Sequence, residues 1–317
     1  MTIVPPRQQP TFSERLARTD SSEEHFWREA LLMKIAGTTR LAGIMGWPVA
    51  HSRSPFLHGF WLDETGTDGA YVPLPVRPEH IEQALRALPI LGFRGCNLTI
   101  PHKQTALHIA DRVEPSARRI GAVNTIIVTP DGALEARNTD VFGFRENLRE
   151  AAPDWRPGVG PAVILGAGGS ARAVVAALTD AGVTEIRIIN RTLARAEILA
   201  RDLETSATQI TVHPWSEVGN VQRDAGLLVN TTSLGMTGEP PLVLDLWLPT
   251  TAPVVDIVYV PLETDLLNDA RRRGNPVVDG LGMLLHQGRP GFEAWFGAAV
   301  RVTPELRAAV VATLAPA

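Results

Sequence analysis

Ala162-Val163-Ile164-Leu165-Gly166-Ala167-Gly168-Gly169-Ser170-Ala171 is the stretch on which the reading of this chain turns. Four consecutive apolar residues predict a strand over 162–165, and the pattern from Ser170 to Ala181 predicts a helix. The glycines between them allow a tight turn and let the backbone come close to a pyrophosphate. The free N–H groups and dipole of the following helix N-terminus would then hold that anion. Ala171 stands where a third glycine is common, a substitution the fingerprint tolerates. A glycine string alone is equally a structural turn. Its place between strand and helix, inside a long alternating region, points to a dinucleotide.

The next strand, Glu185 to Ile189, bears on which dinucleotide. A site for NAD carries an acid about 20 residues beyond the glycines, bonded to the ribose 2′-hydroxyl. Here the strand runs into Asn190-Arg191-Thr192, with Arg195 one turn further, and no acid occupies the position. Arg191 and Arg195 flank the start of a helix predicted over 193–204, where a cation is disfavoured by about 0.3–1 kcal/mol. A 2′-phosphate would offset that cost and accept paired hydrogen bonds from arginine. The pattern therefore predicts NADP, against the plainer reading of two solvated surface arginines.

Working outward, strands and helices alternate on both sides of this motif. Before it, strands are expected at 41–46, 71–76, 96–100, 124–129 and 134–138, the last two joined by Asp131-Gly132 as a hairpin turn. Helices are expected at 54–65, 78–88 (opened by Pro78), 103–110 and 141–151. The Pro- and Gly-rich stretch 152–161 reads as a linker. After the motif, strands are expected at 209–213, 227–230, 254–258 and 276–278. Thr303-Pro304-Glu305 opens a last helix with a cap, a proline and an acid. Alternation of this kind predicts mostly parallel sheets covered on both faces. Residues 1–36 break the pattern. There Ser21 to Glu24 forms a capping box before a short amphipathic helix, and Met33-Lys34-Ile35 would serve equally well as a start.

The chain has 317 residues, 44% hydrophobic and 20% charged, enough for two domains with separate cores. A net charge of −4 argues against general nucleic-acid binding, which needs a basic surface. Cys96 is the only cysteine, so no internal disulfide can form, and a reducing, cytoplasmic setting is expected. No run is apolar and long enough to span a membrane, the first twenty residues lack the pattern of a secretory signal, and the eight histidines show no metal-ligand spacing.

Two polar clusters precede the glycine motif. In Gly46-Trp47-Pro48-Val49-Ala50-His51-Ser52-Arg53-Ser54-Pro55, two hydroxyls stand just ahead of a Pro-opened helix and could meet one anion; alone, this is equally a capped helix start. In Asn97-Leu98-Thr99-Ile100-Pro101-His102-Lys103, Asn97 and Thr99 share one side of a strand and Lys103 falls in the first turn of the next helix. A cation there is poorly placed, which suits a proton shuttle; an ordinary surface lysine is an equal reading. Asn124-Thr125 and Asn138-Thr139-Asp140 add amides and a carboxylate at strand ends, where each is also a plausible cap or turn. Asp279-Gly280 leads into a helix carrying one polar Gln287.

Taken together, HSRSP, NLTIPHK, GAVNT, NTD, GAGGSARA, NRT, NTTSLGM and DGLGMLLHQ resemble the shikimate dehydrogenase family, in the family's order from about residue 40 to 297. Gly59 departs from it, standing where the family commonly has Asn, without touching a proposed catalytic role. The resemblance implies an α/β fold of two domains, a Rossmann-type NADP domain at 140–280 and a smaller α/β substrate domain at 37–139, completed by 281–317, with a mostly parallel sheet. It implies reversible NADPH-dependent reduction of 3-dehydroshikimate to shikimate, in aromatic amino-acid biosynthesis, by a monomer or homodimer with small-molecule partners only. Carried over by motif, Lys103 and Asp140 are the catalytic pair. Ser52 and Ser54 meet the substrate carboxylate with Tyr259 nearby, and Asn97, Thr99, Asn124 and Gln287 meet its ring hydroxyls. Gly166, Gly168, Gly169 and Ser170 hold the pyrophosphate. Asn190, Arg191, Thr192 and Arg195 take the adenosine phosphate, and Thr232, Met236 and Gly280 line the nicotinamide side. A quinate or dual-specificity dehydrogenase, and a non-catalytic metabolite sensor on the same fold, are the competing expectations.

Overall fold

A computed structural model describes residues 35–314 of the chain. The expected N-terminal helix and the question of the alternative start at Met33 lie outside the described residues. From Arg40 onward the chain builds two six-stranded sheets.

The first sheet comprises β1 (Arg40–Gly46), β2 (Gly69–Pro75), β3 (Phe93–Leu98), β4 (Arg112–Val113), β5 (Thr125–Val128) and β6 (Leu134–Arg137), in the order β2-β1-β3-β5-β6-β4. β1 pairs in parallel with β2 and β3, and β4 with β6; β5 runs antiparallel between β3 and β6. The β5–β6 hairpin turns through Asp131-Gly132 as expected, with Gly132 at φ 81°. Its two faces are covered differently. Ala42 and Ile44 pack with Leu57 and Trp61 of helix Ser54–Thr65 and with Leu285, Phe292 and Trp295 of helix Gly280–Phe296. Met45, Cys96 and Leu98 pack with Leu85 and Leu88 of helix Ile81–Ile90 on the other side. The C-terminal helices thus close the core begun by the first strands.

The second sheet comprises β7 (Ala162–Leu165), β8 (Glu185–Ile189), β9 (Gln209–His213), β10 (Leu227–Asn230), β11 (Val254–Asp256) and β12 (Val277–Val278). It is parallel throughout, in the order β12-β11-β10-β7-β8-β9. Successive residues of β7 point to opposite faces. Ala162 and Ile164 enter one apolar layer and Val163 and Leu165 the other, so both faces are buried, as a run without polar residues requires. The chain steps outward from β7 in one direction and then resumes at β10 on the other side. That reversal opens a crevice at the carboxyl ends of β7 and β10, where such sheets bind ligands.

Three expectations are corrected. The helix expected from Pro78 begins as a 3-10 turn, Pro78–His80, and becomes α-helical only over Ile81–Ile90. The strand expected over 254–258 ends at Asp256, because the Asp256 carboxylate takes the Val258 amide at 3.0 Å. Lys103 is not in a helix. Residues 101–105 form turns, and only Ala106–Ile109 is helical. The Lys103 carbonyl accepts from Val123 N at 2.8 Å, a long-range bond in place of the local one a helix needs. Helix Asp265–Arg273 was not expected, although its signals are present: Thr264 caps it by accepting from Leu267 N, Asp265 opens it, and Arg271, Arg272 and Arg273 precede Gly274. No helix among the described residues is long and apolar enough to cross a membrane.

Candidate active site

Several chain ends of the first sheet meet at one rim. The loops after β1 and β3 carry Ser52 and Thr99; Asn124 precedes β5, and Asp140 follows β6. Asn97 and Thr125 are direct partners across β3 and β5. Helix Gly280–Phe296 passes over this rim and adds Gln287. The result is a cleft lined by Ser52, Ser54, Asn97, Thr99, Lys103, Asn124, Tyr259 and Gln287, with His51, His58, Leu57 and Leu284 among the other walls. All seven residues expected to bind substrate line this one cavity, together with Lys103.

Asp140 stands behind them. Its carboxylate is enclosed, 2% exposed, and accepts from Lys103 Nζ at 2.6 Å through Oδ2 and from Asn124 Nδ2 at 2.8 Å through Oδ1. The Asp140 amide donates to Asn138 Oδ1 at 3.0 Å, which pins the start of helix Asp140–Ala151. Asn124 is itself held: its Oδ1 accepts from Thr139 N at 2.8 Å and from Thr125 Oγ1 at 3.0 Å. The carboxylate therefore has fixed donors on both oxygens, and Lys103 keeps its other two protons for the cavity.

Two polar side chains that local sequence did not single out stand behind this site. Tyr71, on β2, donates its hydroxyl to Asn97 Oδ1 at 2.6 Å. His58 lies flat against the Tyr71 ring, centroids 3.9 Å apart and planes 7° apart, within a cage that includes Trp61, Phe292 and Trp295. Burial pushes the His58 imidazole down to about 3, with the Asn97 side chain opposing that shift, and neither ring nitrogen completes a hydrogen bond. It is neutral at working pH. The only sequence signals for these two were an inward position on a strand and a polar residue on a helix face, both common in cores.

The glycine loop lies beside this cavity. A Cβ placed on Gly169 would sit 3.9 Å from Lys103 Cδ. Gly166, at φ 106°, has a backbone conformation that side-chain-bearing residues rarely adopt, and Thr231 and Thr232 crowd the space where a Cβ would go. Above Gly168 the space is open. Ser170 is in the first turn of helix Gly169–Asp180. At the end of β8, Asn190 Nδ2 donates to Thr192 O at 2.7 Å and Thr192 precedes helix Leu193–Leu203. Arg191 and Arg195 are exposed there, and neither has a carboxylate partner among the described residues. An open glycine cradle followed by two unpaired arginines at a helix start fits a nucleotide with an extra phosphate. Thr232 bonds Asn230 Oδ1 through its hydroxyl at 2.7 Å, and Thr237 N donates to Val260 O at 2.8 Å, which brings the loop carrying Met236 against the Tyr259 segment. Gly280 is pressed on the same segment: a Cβ there would lie 2.2 Å from Ile257 O. Asn190, Arg191, Thr192 and Arg195 do not line the cavity; they stand along the crevice beyond the glycine loop.

Residues 44–126 match the family model described as shikimate dehydrogenase substrate binding domain, and residues 159–235 match that described as shikimate / quinate 5-dehydrogenase. The chain is 60% identical over 278 residues to a Paramagnetospirillum magneticum protein named shikimate dehydrogenase (NADP(+)), covering 87% of this chain and 100% of the relative. It is 60% identical over 279 residues to the protein of that name from Rhodospirillum rubrum, covering 87% and 99%. Among solved structures, it resembles shikimate 5-dehydrogenase of Thermus thermophilus in complex with NADP(H) and shikimate, at 36% identity and TM-score 0.76, covering 87% and 100%. It also resembles quinate dehydrogenase of Corynebacterium glutamicum in complex with NAD, at 30% identity and TM-score 0.80, covering 86% and 99%.

Proposed function

From the premise that this chain belongs to the NADP-dependent shikimate dehydrogenase family, we propose how its own residues carry out the reversible reduction of 3-dehydroshikimate to shikimate. One observation carries the reading: Lys103, bonded to the enclosed Asp140, stands between a polar cavity and the glycine loop.

NADP(H), when bound, supplies the hydride for reduction and takes it back in oxidation. Ser52 and Ser54 bond the substrate carboxylate, with Tyr259 beside them. Asn97, Thr99, Asn124 and Gln287 surround the ring hydroxyls. Lys103 gives a proton to the ketone oxygen as negative charge develops there, and takes one back from the alcohol in the reverse direction. Asp140 keeps the ammonium group in register and balances its charge. Gly166, Gly168, Gly169 and Ser170 cradle the pyrophosphate, Asn190, Arg191, Thr192 and Arg195 hold the adenosine phosphate, and Thr232, Met236 and Gly280 border the nicotinamide. The division into a substrate domain at 37–139 plus 281–317 and a cofactor domain at 140–280 follows the two sheets and leaves the reacting groups at their junction. The functional unit in this reading is a monomer or a homodimer. A single buried thiol, Cys96, suits a cytoplasmic setting.

The likeness to a quinate dehydrogenase favours one second reading, turnover of quinate alongside or in place of shikimate. A non-catalytic sensor would have no use for the Lys103–Asp140 pair. The test is an absorbance assay of reduced-nicotinamide formation with shikimate or quinate crossed with NADP⁺ or NAD⁺. Turnover confined to shikimate with NADP⁺ is expected. Preferred turnover of quinate would move the assignment to the second reading, and silence of the folded protein in all four would remove catalysis.

A further inference from the structure

We propose that Tyr71 is a positioning residue of the substrate site, acting through Asn97 to decide what that amide presents to the cavity. The inference rests on the shikimate reading above. Tyr71 is 7% exposed and is not a wall of the cleft. Its hydroxyl nevertheless reaches Asn97, which is.

The hydrogen bonds of Asn97 are almost fully accounted for. Nδ2 donates to Asn124 O and to Thr125 Oγ1, each at 3.1 Å, so both amide protons are engaged. Asn124 O can only accept, which fixes the amide with Nδ2 toward β5 and Oδ1 toward Tyr71. Oδ1 takes the Tyr71 hydroxyl at 2.6 Å. One lone pair on Oδ1 remains. With both amide protons engaged, Asn97 has no donor left for a ligand and can offer only that acceptor, which the His58 imidazole also faces, so the group it recognises is a hydroxyl, not a carbonyl. That suits a ring hydroxyl that stays an alcohol through the reaction, and not the carbon that is oxidised.

Tyr71 is placed to hold this arrangement. Its ring is stacked on His58 and tilted against Trp295 at 6.0 Å, so the phenol cannot swing aside without disturbing the core. The Ser54 side chain stands close enough to offset part of the upward push that burial gives the phenol, which stays protonated and remains a donor. Tyr71 thus sits between Ser54 and Asn97, two cavity residues assigned to different parts of the substrate. Without its hydroxyl, Asn97 keeps its anchors on Nδ2, but Oδ1 loses the donor that holds it from the other end, and the ligand must supply that restraint on binding.

The test is steady-state kinetics of full-length Tyr71→Phe, which keeps the ring and its stacking. The KM for shikimate should rise about 2–13-fold, the range for one lost hydrogen bond, with kcat within about twofold and the KM for NADP⁺ unchanged. An unchanged shikimate KM overturns the proposal, and so does an equal rise in both KM values, which a general loosening would produce. A double-mutant cycle supplies the second readout. On an Asn97→Ala background, adding Tyr71→Phe should change the shikimate KM by no more than about twofold, because the group it acts through is gone. Full additivity of the two changes overturns the role. The wild-type assay separates the two levels of inference. Wild type inactive on shikimate defeats the functional reading and this inference with it, whereas active wild type with an unaltered Tyr71→Phe defeats the role of Tyr71 alone.

Discussion

Lys103 Nζ lies 2.6 Å from Asp140 Oδ2, and the two ends of that bond differ in their access to the cleft: the lysine side chain is 18% exposed and the aspartate 2%. The aspartate is anchored from behind by Asn124 and by the start of its own helix. The lysine is the more exposed partner and keeps two protons for the cavity. A carboxylate so enclosed balances the ammonium charge without competing for the substrate oxygen.

Lys103→Ala should therefore lose turnover by about 10²–10⁴-fold, as expected for lost acid–base catalysis. NADPH binding, followed by nicotinamide fluorescence, should be retained, since the glycine loop and the arginines are untouched. Near-normal turnover would take Lys103 out of the mechanism and turn attention to the neighbouring His102.

Arg191→Ala should weaken NADPH by about 10–100-fold, the scale of charge-assisted hydrogen bonds to a phosphate. The affinity for NADH should change little, because Arg191 has no other partner among the described residues to lose. A binding titration in which both cofactors weaken equally would mean that Arg191 supports the loop and does not read the 2′-phosphate.

Gly280 was expected on the nicotinamide side, and its neighbours add a packing reason for glycine. A Cβ would be driven onto Ile257 C and O and Val258 O, which are backbone atoms that cannot rotate away. Gly280→Ala should cost about 1–3 kcal/mol. Thermal melting should show a drop of roughly 2–4 °C per kcal/mol for a unit of this size. An unchanged melting temperature would show that the Ile257–Tyr259 segment yields freely.

His58 makes stability pH-dependent. An imidazole in the unfolded chain titrates near 6.5, and burial holds this one at about 3. Between those values the unfolded state binds one more proton. The stability is complete above about pH 6.5 and declines as the pH falls toward 3, by about 1.4 kcal/mol per unit. His58→Phe, which preserves an aromatic ring against Tyr71, should flatten the fall in melting temperature between pH 7 and 5. Coincident acid limbs for variant and wild type would assign the effect to other groups.

Much of the second sheet was legible because its determinants are local. β7, β8, β9 and β10 fall at the expected residues, since a short apolar run bounded by glycine or polar residues has few other ways to be buried. The first sheet was less so. The antiparallel entry of β5 between β3 and β6 depends on pairings between segments distant in the chain, and the two-residue β4 has too little pattern of its own. Lys103 shows the same limit at one residue. Its neighbours favour a helix, yet its carbonyl is taken by Val123 N, twenty positions along.

The glycine loop, the arginine pair at the end of β8 and the identity of the polar residues were determined by sequence alone, because the loop and its arginines lie within thirty consecutive residues, 166–195, in one strand-helix-strand unit. Only the tertiary structure decided that Gln287 comes to the rim occupied by Ser54 and Lys103, that Asp140 is enclosed while Lys103 is not, and that Tyr71 aims Asn97. Those relationships are made when the C-terminal helix closes over the first sheet. Burial and hydrogen-bond partnership there depend on which distant segments exclude water together, and no local pattern records that.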